Sequence, residues 1–306
     1  MSVDTRQHLI AERSFLRSRL AELPGAARLT RMSTESRLAA IEQVLNEPAG
    51  RVPARVRLTF NGRPVIRSHG IFADFGTKAV SAFADAVAAV AASLTAPLAA
   101  MGPIPNREQN QLLITGTAVG SFGFELEEHG NGQLPLEEQS VVGLAIERTR
   151  QLLASSIAKD DEQLADAASD LDRRALEKVR TFVSTMAESE AFCAIQYGLH
   201  TVRFSSVGEV RDAVDRLSRD HLIEEEVELQ GVFEGALPHR RSFEFTVAGQ
   251  DIIVGKISPA IEHPSAINAH LGEQVAARFM RTRVGTGRPR YLLLAMPWQA
   301  NILDIA

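Results

Sequence analysis

Two histidines and three carboxylates lie near the ends of predicted strands and carry side chains suited to acid–base or metal chemistry. They are His69, Asp74, Glu125, Glu127 and His129. An imidazole held beside carboxylates can transfer protons or help to bind a divalent ion. The chain lacks HExxH or a comparable signature, and nothing in the spacing turns Glu125 and Glu127 toward His69. These residues are therefore candidate catalytic groups, with ordinary hydrogen bonding as the alternative, and we expect no metal site.

A glycine series, Gly116, Gly120 and Gly123, follows in the segment TGTAVGSFGFELEE. A dinucleotide-binding turn needs GxGxxG at the start of a helix, and a P-loop needs Lys followed by Ser or Thr. Neither pattern is present, and the residues after Gly123 alternate like a strand. We interpret the glycines as points where strands bend or bulge, with close approach of the backbone to a ligand as the alternative.

Arginines near the end of the chain form a candidate binding surface for anions. The set, called here the barrel arginines, comprises Arg240, Arg241, Arg278, Arg281, Arg283, Arg288 and Arg290. A hairpin turning at Gly285 to Gly287 would place several of them near one edge. Such a patch suits a phosphate backbone, and Phe279 or Tyr291 would offer a base a stacking face.

Two other interpretations of the barrel arginines remain open. They could contact an acidic protein or another subunit. They could also pair across the sheet with acidic residues of the first barrel strand, which would make the charges purely structural. Those acidic residues are Glu224, Glu225, Glu226 and Glu228.

The elements that position these residues begin with a strand, helix, strand unit. In RVRLTFNGRPV, Val56, Leu58 and Phe60 alternate with polar residues, which predicts a half-buried strand. The helix predicted from Thr77 to Leu94 has few polar residues and should be covered on several sides. The following segment, QLLITGTAVGSFGFELEE, predicts a strand pair or a bent strand.

The whole chain is predicted to be an α+β protein with four parts. These are a helical hairpin over 1–50, a central α+β domain over 51–157, a helical connector over 158–222 and a small β-barrel over 223–306. About five alternating segments with a helical insert after the third predict an OB-like or SH3-like barrel.

Two apolar features at the ends of the chain indicate contacts with other surfaces. The hairpin carries a seam of leucines and isoleucine at helical spacing, which packs either on the body or on a second copy. The tail PWQANILDIA docks either on its own domain or on a partner. The seam residues are Leu9, Leu16, Leu20, Leu23, Leu38, Ile41 and Leu45.

Composition limits the class of protein. The 306 residues carry a net charge of -5, which disfavours a protein that coats nucleic acid with its whole surface but permits a local basic patch. The single cysteine, Cys193, lies in an apolar run and is predicted to be buried. The N-terminal residues show no signal peptide, and Asp85 interrupts the most apolar helix. We expect a cytoplasmic protein without a cofactor or a membrane span.

Several phrases resemble those of conserved hypothetical bacterial proteins of unassigned function. They are LTFNGRPVIRSHGIFADFGTKAV, LLITGTAVGSFGFELEE, GALPHRRSFEF and TRVGTGRPRYLLL. The resemblance covers most of the chain and implies no activity, cofactor or catalytic residue. It associates the chain with accessory and phage-defence genes.

The leading functional hypothesis is a non-catalytic binding or assembly protein that self-associates and presents a basic-edged barrel to a partner. It follows from the lack of a complete catalytic motif together with the hairpin seam, the barrel arginines and the apolar tail. A nucleic-acid-binding component of a bacterial defence system is the first alternative. An enzyme of unknown class at the His69 loop and the glycine-rich strand is the second.

Overall fold

The computed structural model describes residues 3–23, 27–46, 53–96, 98–99, 101–118, 122–129, 140–249 and 252–299. The chain divides into two compact units, residues 1–54 with 129–140 and residues 55–128 with 141–306. The fold is mixed α+β with a closed five-stranded barrel near the C-terminus, which confirms the predicted class.

The first unit contains two helices, α1 (Val3–Glu22) and α2 (Arg28–Asn46). Ion pairs from Arg17 to Glu42, at 2.5 Å, and from Arg37 to Glu12, at 2.8 Å, join them. The predicted seam is only partly covered. Ile41 is buried, whereas Leu9, Leu16, Leu20, Leu23 and Leu38 are half-buried, and the side chain of Leu45 lies outside the described set.

The second unit is built on an antiparallel five-stranded sheet. The alternation predicted for its first strand is confirmed, since Val56, Leu58 and Phe60 are buried and Arg55 and Arg57 are exposed. A short hairpin of Val65–Ile66 with Gly70–Ile71 makes β2 and β3. In spatial order the sheet contains β4 (Leu112–Ala118), β5 (Gly123–Glu128), β1 (Arg55–Gly62), β6 (Ala191–Tyr197) and β7 (His200–Arg203).

The apolar helix predicted from Thr77 to Leu94 is α3 (Ala73–Thr95), which begins one turn earlier than predicted. It packs against α4 (Val141–Ile157) and α6 (Arg173–Glu188), and the rings of Phe83 and Phe182 lie 5.5 Å apart. Its many buried alanines allow these neighbours to approach closely. Among the described helices, α3 is the one long and apolar enough to cross a membrane, and half of its apolar window is buried in the fold.

The segment predicted as a helical connector supplies part of the sheet. It contains α5 (Asp161–Ser169), α6 and α7 (Val207–Leu217), the last capped by the Ser206 side chain, which accepts a hydrogen bond from the Glu209 amide. The run AIQYGLHTVRF, predicted as one strand, forms the two strands β6 and β7. Gly198, with φ of 57°, makes the turn between them.

Five strands and a helical insert after the third form the barrel, as the sequence predicts. The strands are β8 (Leu222–Leu237), β9 (Ser242–Val247), β10 (Ile252–Ile257), β11 (Gln274–Val284) and β12 (Arg290–Leu293), and a 3-10 helix spans Pro264–His270. Around the barrel the order is β8, β9, β10, β12, β11, with β10 and β12 parallel. Phe233, Phe243, Phe245 and Phe279 fill its interior.

The described part of the C-terminal tail docks on the barrel. Trp298 stacks on His270 with ring centroids 4.3 Å apart and contacts Phe233 at 5.9 Å. Of the two alternatives for the tail, Trp298 therefore follows docking on its own domain. The residues after Gln299 lie outside the described part.

Candidate binding surfaces

Two of the barrel arginines are held by carboxylates of the same chain. Arg281 faces Glu225 across β11 and β8 and donates to it at 2.5 and 2.9 Å. The pKa of Arg281 is raised, first by this hydrogen bond. Arg290 donates to Asp166 of α5, and a Glu162 oxygen lies 3.5 Å away. Arg281 matches the predicted pairing across the sheet, whereas Arg290 is paired within the chain with α5 and not with the acidic residues of β8.

Arg241 supports the turn between β8 and β9 through backbone contacts. Its guanidinium donates to the carbonyls of Ile257 at 3.2 Å, of Ile261 at 2.7 Å and of Ser258. The residue has φ of 46°, in the left-handed region. These three carbonyls hold the side chain in place, so Arg241 has a structural role in the barrel.

The four remaining barrel arginines are exposed. The side chains of Arg240, Arg278, Arg283 and Arg288 make no hydrogen bond or ion pair with any described residue. Register places Arg278 opposite Glu228 and Val284 opposite Leu222, so the turn at 285–287 lies beside the start of β8. Arg240 follows the other end of that strand. Of the barrel arginines, these four are the ones whose guanidinium groups are open to an anionic ligand.

The predicted stacking faces are largely inside the barrel. Phe279 is fully buried, so the prediction that it could stack on a base is wrong. Tyr291 is half-buried and packs edge-on against Phe279, with ring centroids 6.2 Å apart at 84°. Large side chains that point inward fill the interior of the barrel, and the aromatic residues are among them. The strand pattern alone did not show which aromatic residues point inward.

Acidic residues near α5 neutralise cations on the outer side of the barrel. Asp166 accepts from Arg290 of β12, and Asp170, which follows α5, accepts from Lys256 of β10. Asp170 also pairs with Arg148 of α4. This part of the basic surface is therefore occupied by the chain's own carboxylates.

The outer face of β9 and β10 is open and largely free of basic charge, and we call it the β9–β10 face. Ile252 and Val254 are 56% and 64% exposed, although both are large aliphatic residues. They stand opposite Thr246 and Glu244 of β9. Thr246 also donates to Glu234 at 2.7 Å. The β9–β10 face thus offers an apolar pair bordered by acidic residues.

The candidate catalytic groups do not form a site of shared geometry. Glu125 and Glu127 instead pair with Arg57 at 2.7 Å and with Arg55 at 2.6 Å on β1. His69 and Asp74 are exposed, in the β2–β3 turn and in the first turn of α3, and His129 belongs to the first unit. Within the described ranges, no three His, Cys, Asp or Glu residues are grouped so as to hold a metal.

The glycines of the second predicted strand serve backbone packing. A Cβ at Gly123 would lie 2.2 Å from the Leu58 carbonyl oxygen, so β5 can approach β1 this closely only without a side chain. The register of β4 shifts beside Gly116, which marks a bulge. Gly120 lies outside the described residues. The bend-and-bulge interpretation therefore accounts for Gly116 and Gly123.

A cavity of ≈ 550 Å³ lies on the sheet face that carries the polar residues of β1. Sequence reasoning missed it. The alternating polar side chains of RVRLTFNG indicate the polar face on which the cavity lies. The same pattern is equally typical of a strand face that only contacts solvent. The lining side chains on β1, β6 and β7 are Arg57, Thr59, Asn61, Phe192, Ala194, Gln196, Thr201 and Arg203.

Cys193 lies behind this cavity and is buried, as predicted. Burial raises the pKa of its thiol to about 12. A thiol with this pKa is almost wholly protonated at neutral pH, so Cys193 is a packing residue and not a nucleophile.

No family model, curated protein or solved structure matches this chain. Its function is therefore inferred from the surfaces described above.

Proposed function

We propose that this chain is a non-catalytic binding and assembly protein that presents its barrel to a partner protein and self-associates through the helices of its first unit. The observation that carries the proposal is the exposure of Ile252 and Val254 side by side on the β9–β10 face. Exposed apolar patches with a polar rim mark sites of protein interaction, and Ile252 and Val254 are bordered by Thr246 and Glu244.

The strand order favours an OB-type barrel over an SH3-type barrel. The first barrel strand, β8, pairs with the second and the fourth, and the third and fifth are parallel neighbours. The helical insert follows the third strand. In OB barrels the face of the second and third strands binds oligonucleotides and oligosaccharides, and it corresponds to the β9–β10 face.

The chemistry of the β9–β10 face suits a protein better than a nucleic acid. Ile252 and Val254 supply apolar area, and Glu234 and Glu244 would repel phosphates. The cation on this side, Lys256, is paired with Asp170. Protein interfaces combine an apolar centre with a polar rim, and this face has both. The acidic border favours a partner with basic residues around an apolar contact.

Nucleic-acid binding is the second candidate function, favoured by the exposed Arg240, Arg278, Arg283 and Arg288. It requires binding of an oligonucleotide that weakens steeply with salt, because phosphate contacts release counterions. Changing Arg283 and Arg288 together to glutamate should then weaken that binding and reduce its salt dependence. Binding that ignores both salt and this double change would exclude the barrel as a nucleic-acid site.

Photocrosslinking from the β9–β10 face tests the proposal. A photoreactive amino acid at position 254 of the full chain, expressed in its own host, should yield one major protein adduct. Adding Ile252→Glu should suppress the adduct, because the charge disrupts the apolar contact. The same photoreactive residue at position 199, where Leu199 is fully exposed in the β6–β7 turn, is the control. Equal adducts from both positions, or an adduct with nucleic acid, would contradict the proposal.

A further inference from the structure

We propose that the cavity on the polar face of the sheet binds a small organic anion, held by Arg203 above a floor formed by Ala194. The cavity is made by β1, β6 and β7, so the proposal is independent of the β9–β10 face and goes beyond the function proposed above. Its failure would leave the partner-binding proposal unaffected.

The depression arises because a small side chain lies among four longer ones. Ala194 stands opposite Thr59 of β1 on one side and opposite Arg203 of β7 on the other. Phe192 and Gln196, two residues before and after it on β6, share its face. Thr59 and Arg203 have Cβ atoms about 5 Å from that of Ala194, and Phe192 and Gln196 flank it along the strand, so the four surround the alanine.

The charge of the cavity comes mainly from Arg203. Arg57, at the opposite side, already donates to Glu125 at 2.7 and 3.2 Å. Arg203 is exposed, and its side chain has no hydrogen bond or ion pair in the described part of the chain. Glu209 accepts from the amide of Ser205, a residue that lines the cavity, at 2.6 Å. A free guanidinium binds a carboxylate or a phosphate through two parallel hydrogen bonds.

The other side chains that line the cavity indicate which further groups the ligand would carry. Thr59, Asn61, Gln196 and Thr201 make no side-chain hydrogen bond with described residues, so they are available to a polar ligand. The half-buried ring of Phe192 offers an apolar contact. The volume of ≈ 550 Å³ falls within the range of about 300 to 1,000 Å³ found for small-molecule sites. Together these features fit one anionic group on a small organic body.

Ligand-observed NMR titrations of the full chain with benzoate and with phenyl phosphate test this proposal. We expect saturable binding of at least one probe, with benzoate alone indicating a carboxylate ligand and phenyl phosphate alone a phosphate ligand. Arg203→Gln should raise Kd about tenfold or more, since it removes a charge-assisted hydrogen bond. Ala194→Leu should have a similar effect by filling the floor while it leaves the charge in place.

Arg211→Gln is the matched control, because it removes an exposed arginine of α7 whose nearest acidic partner lies 4.0 Å away and which does not line the cavity. It should bind the probes as the wild type does. The proposal is overturned if neither probe binds saturably. It is also overturned if Arg203→Gln and Ala194→Leu both keep the wild-type Kd.

Discussion

Glu224 is a carboxylate that folding removes from water, and the arginine beside it is shared with other groups. Its side chain is 6% exposed, and Arg180 lies 3.8 Å away. Arg180 is itself engaged by Glu177 and by the Leu217 carbonyl. Burial is the main cause that raises the pKa of Glu224 from 4.5 to about 7; Arg180 and Arg173 oppose it, and Glu177 and Asp172 add to it. Glu224 therefore makes the stability of the fold depend on pH.

The direction of that dependence follows from the raised pKa. Below pH 4.5 the carboxyl is protonated in the folded and unfolded states alike, so stability is fully present. Between 4.5 and about 7 only the unfolded state ionises, and stability is lost as pH rises through this window. A shift of this size corresponds to at most about 3 kcal/mol.

Glu224→Gln should remove this loss. We expect urea denaturation to give a free energy of unfolding higher than that of the wild type by about 1 to 3 kcal/mol at pH 8, and a much smaller difference at pH 5. Glu226→Gln, at an exposed position of the same strand, is the control and should show no such pH dependence. A Glu224→Gln effect that is equal at both pH values would contradict the assignment.

Two glycines of the barrel provide a second test at this scale. A Cβ at Gly255 would lie 2.4 Å from the Tyr291 carbonyl oxygen and 2.6 Å from the Phe243 ring, whereas one at Gly235 would meet no atom within 4 Å. Gly255→Ala should therefore lower the free energy of unfolding by about 1 to 3 kcal/mol. Thermal denaturation of both variants checks this, and equal melting temperatures for Gly255→Ala and Gly235→Ala would refute it.

Single residues were predictable from sequence where their environment is set locally. The burial of Val56, Leu58 and Phe60 follows from their alternation with polar residues. The burial of Cys193 follows from the apolar run in which it lies. The partners of Arg281 and Arg290 depend instead on the register of β11 against β8 and on the position of α5, which are set by distant parts of the chain. From the sequence alone, ion pairing within the chain and ligand binding therefore remained alternatives for these arginines.

At the scale of elements, the helices of the first unit leave apolar side chains uncovered. Ile41 is 2% exposed, but Phe15 and Met32 are 60% and 66% exposed. Two helices bury only the side chains at their mutual contact. A second copy of the hairpin would bury the apolar side chains that this contact leaves exposed. This supports self-association through α1 and α2.

Phe15→Glu should weaken self-association without unfolding the helices, because the side chain is exposed in the chain by itself. Size-exclusion chromatography with light scattering should show an oligomer for the wild type and a smaller species for Phe15→Glu. Leu199→Glu, which places the same charge at another exposed apolar residue, should leave the oligomer intact. A monomeric wild type, or an oligomer that Phe15→Glu does not change, would count against the hairpin as the contact.

Most elements were predictable because their patterns are strong over several residues. α3 stands out by its apolar composition, and the strands of the barrel by alternation and turn residues. The assignment of 158–222 as a connector missed that β6 pairs with β1 and lies in the centre of the sheet. That pairing joins segments far apart in sequence, and no local pattern carries it.

At the scale of the whole molecule, charge is distributed so that much of it is satisfied internally. Arg55 and Arg57 pair with β5, Arg290 with α5 and Arg281 with β8. The β9–β10 face and the cavity around Ala194 are two of the places, within the described residues, where apolar or charged groups remain open. The sequence led to the hypothesis of a binding protein, but the candidate surfaces for that binding emerge only once the strands are paired.

Native mass spectrometry of the full chain, purified gently from its own host, tests the central claim most directly. The wild type should arrive bound to a partner protein and free of nucleic acid. The Ile252→Glu, Val254→Glu double variant should lose that partner while it keeps its own oligomeric mass. A wild type without any partner protein, or one bound to nucleic acid through a contact that the double variant leaves unchanged, would contradict the account.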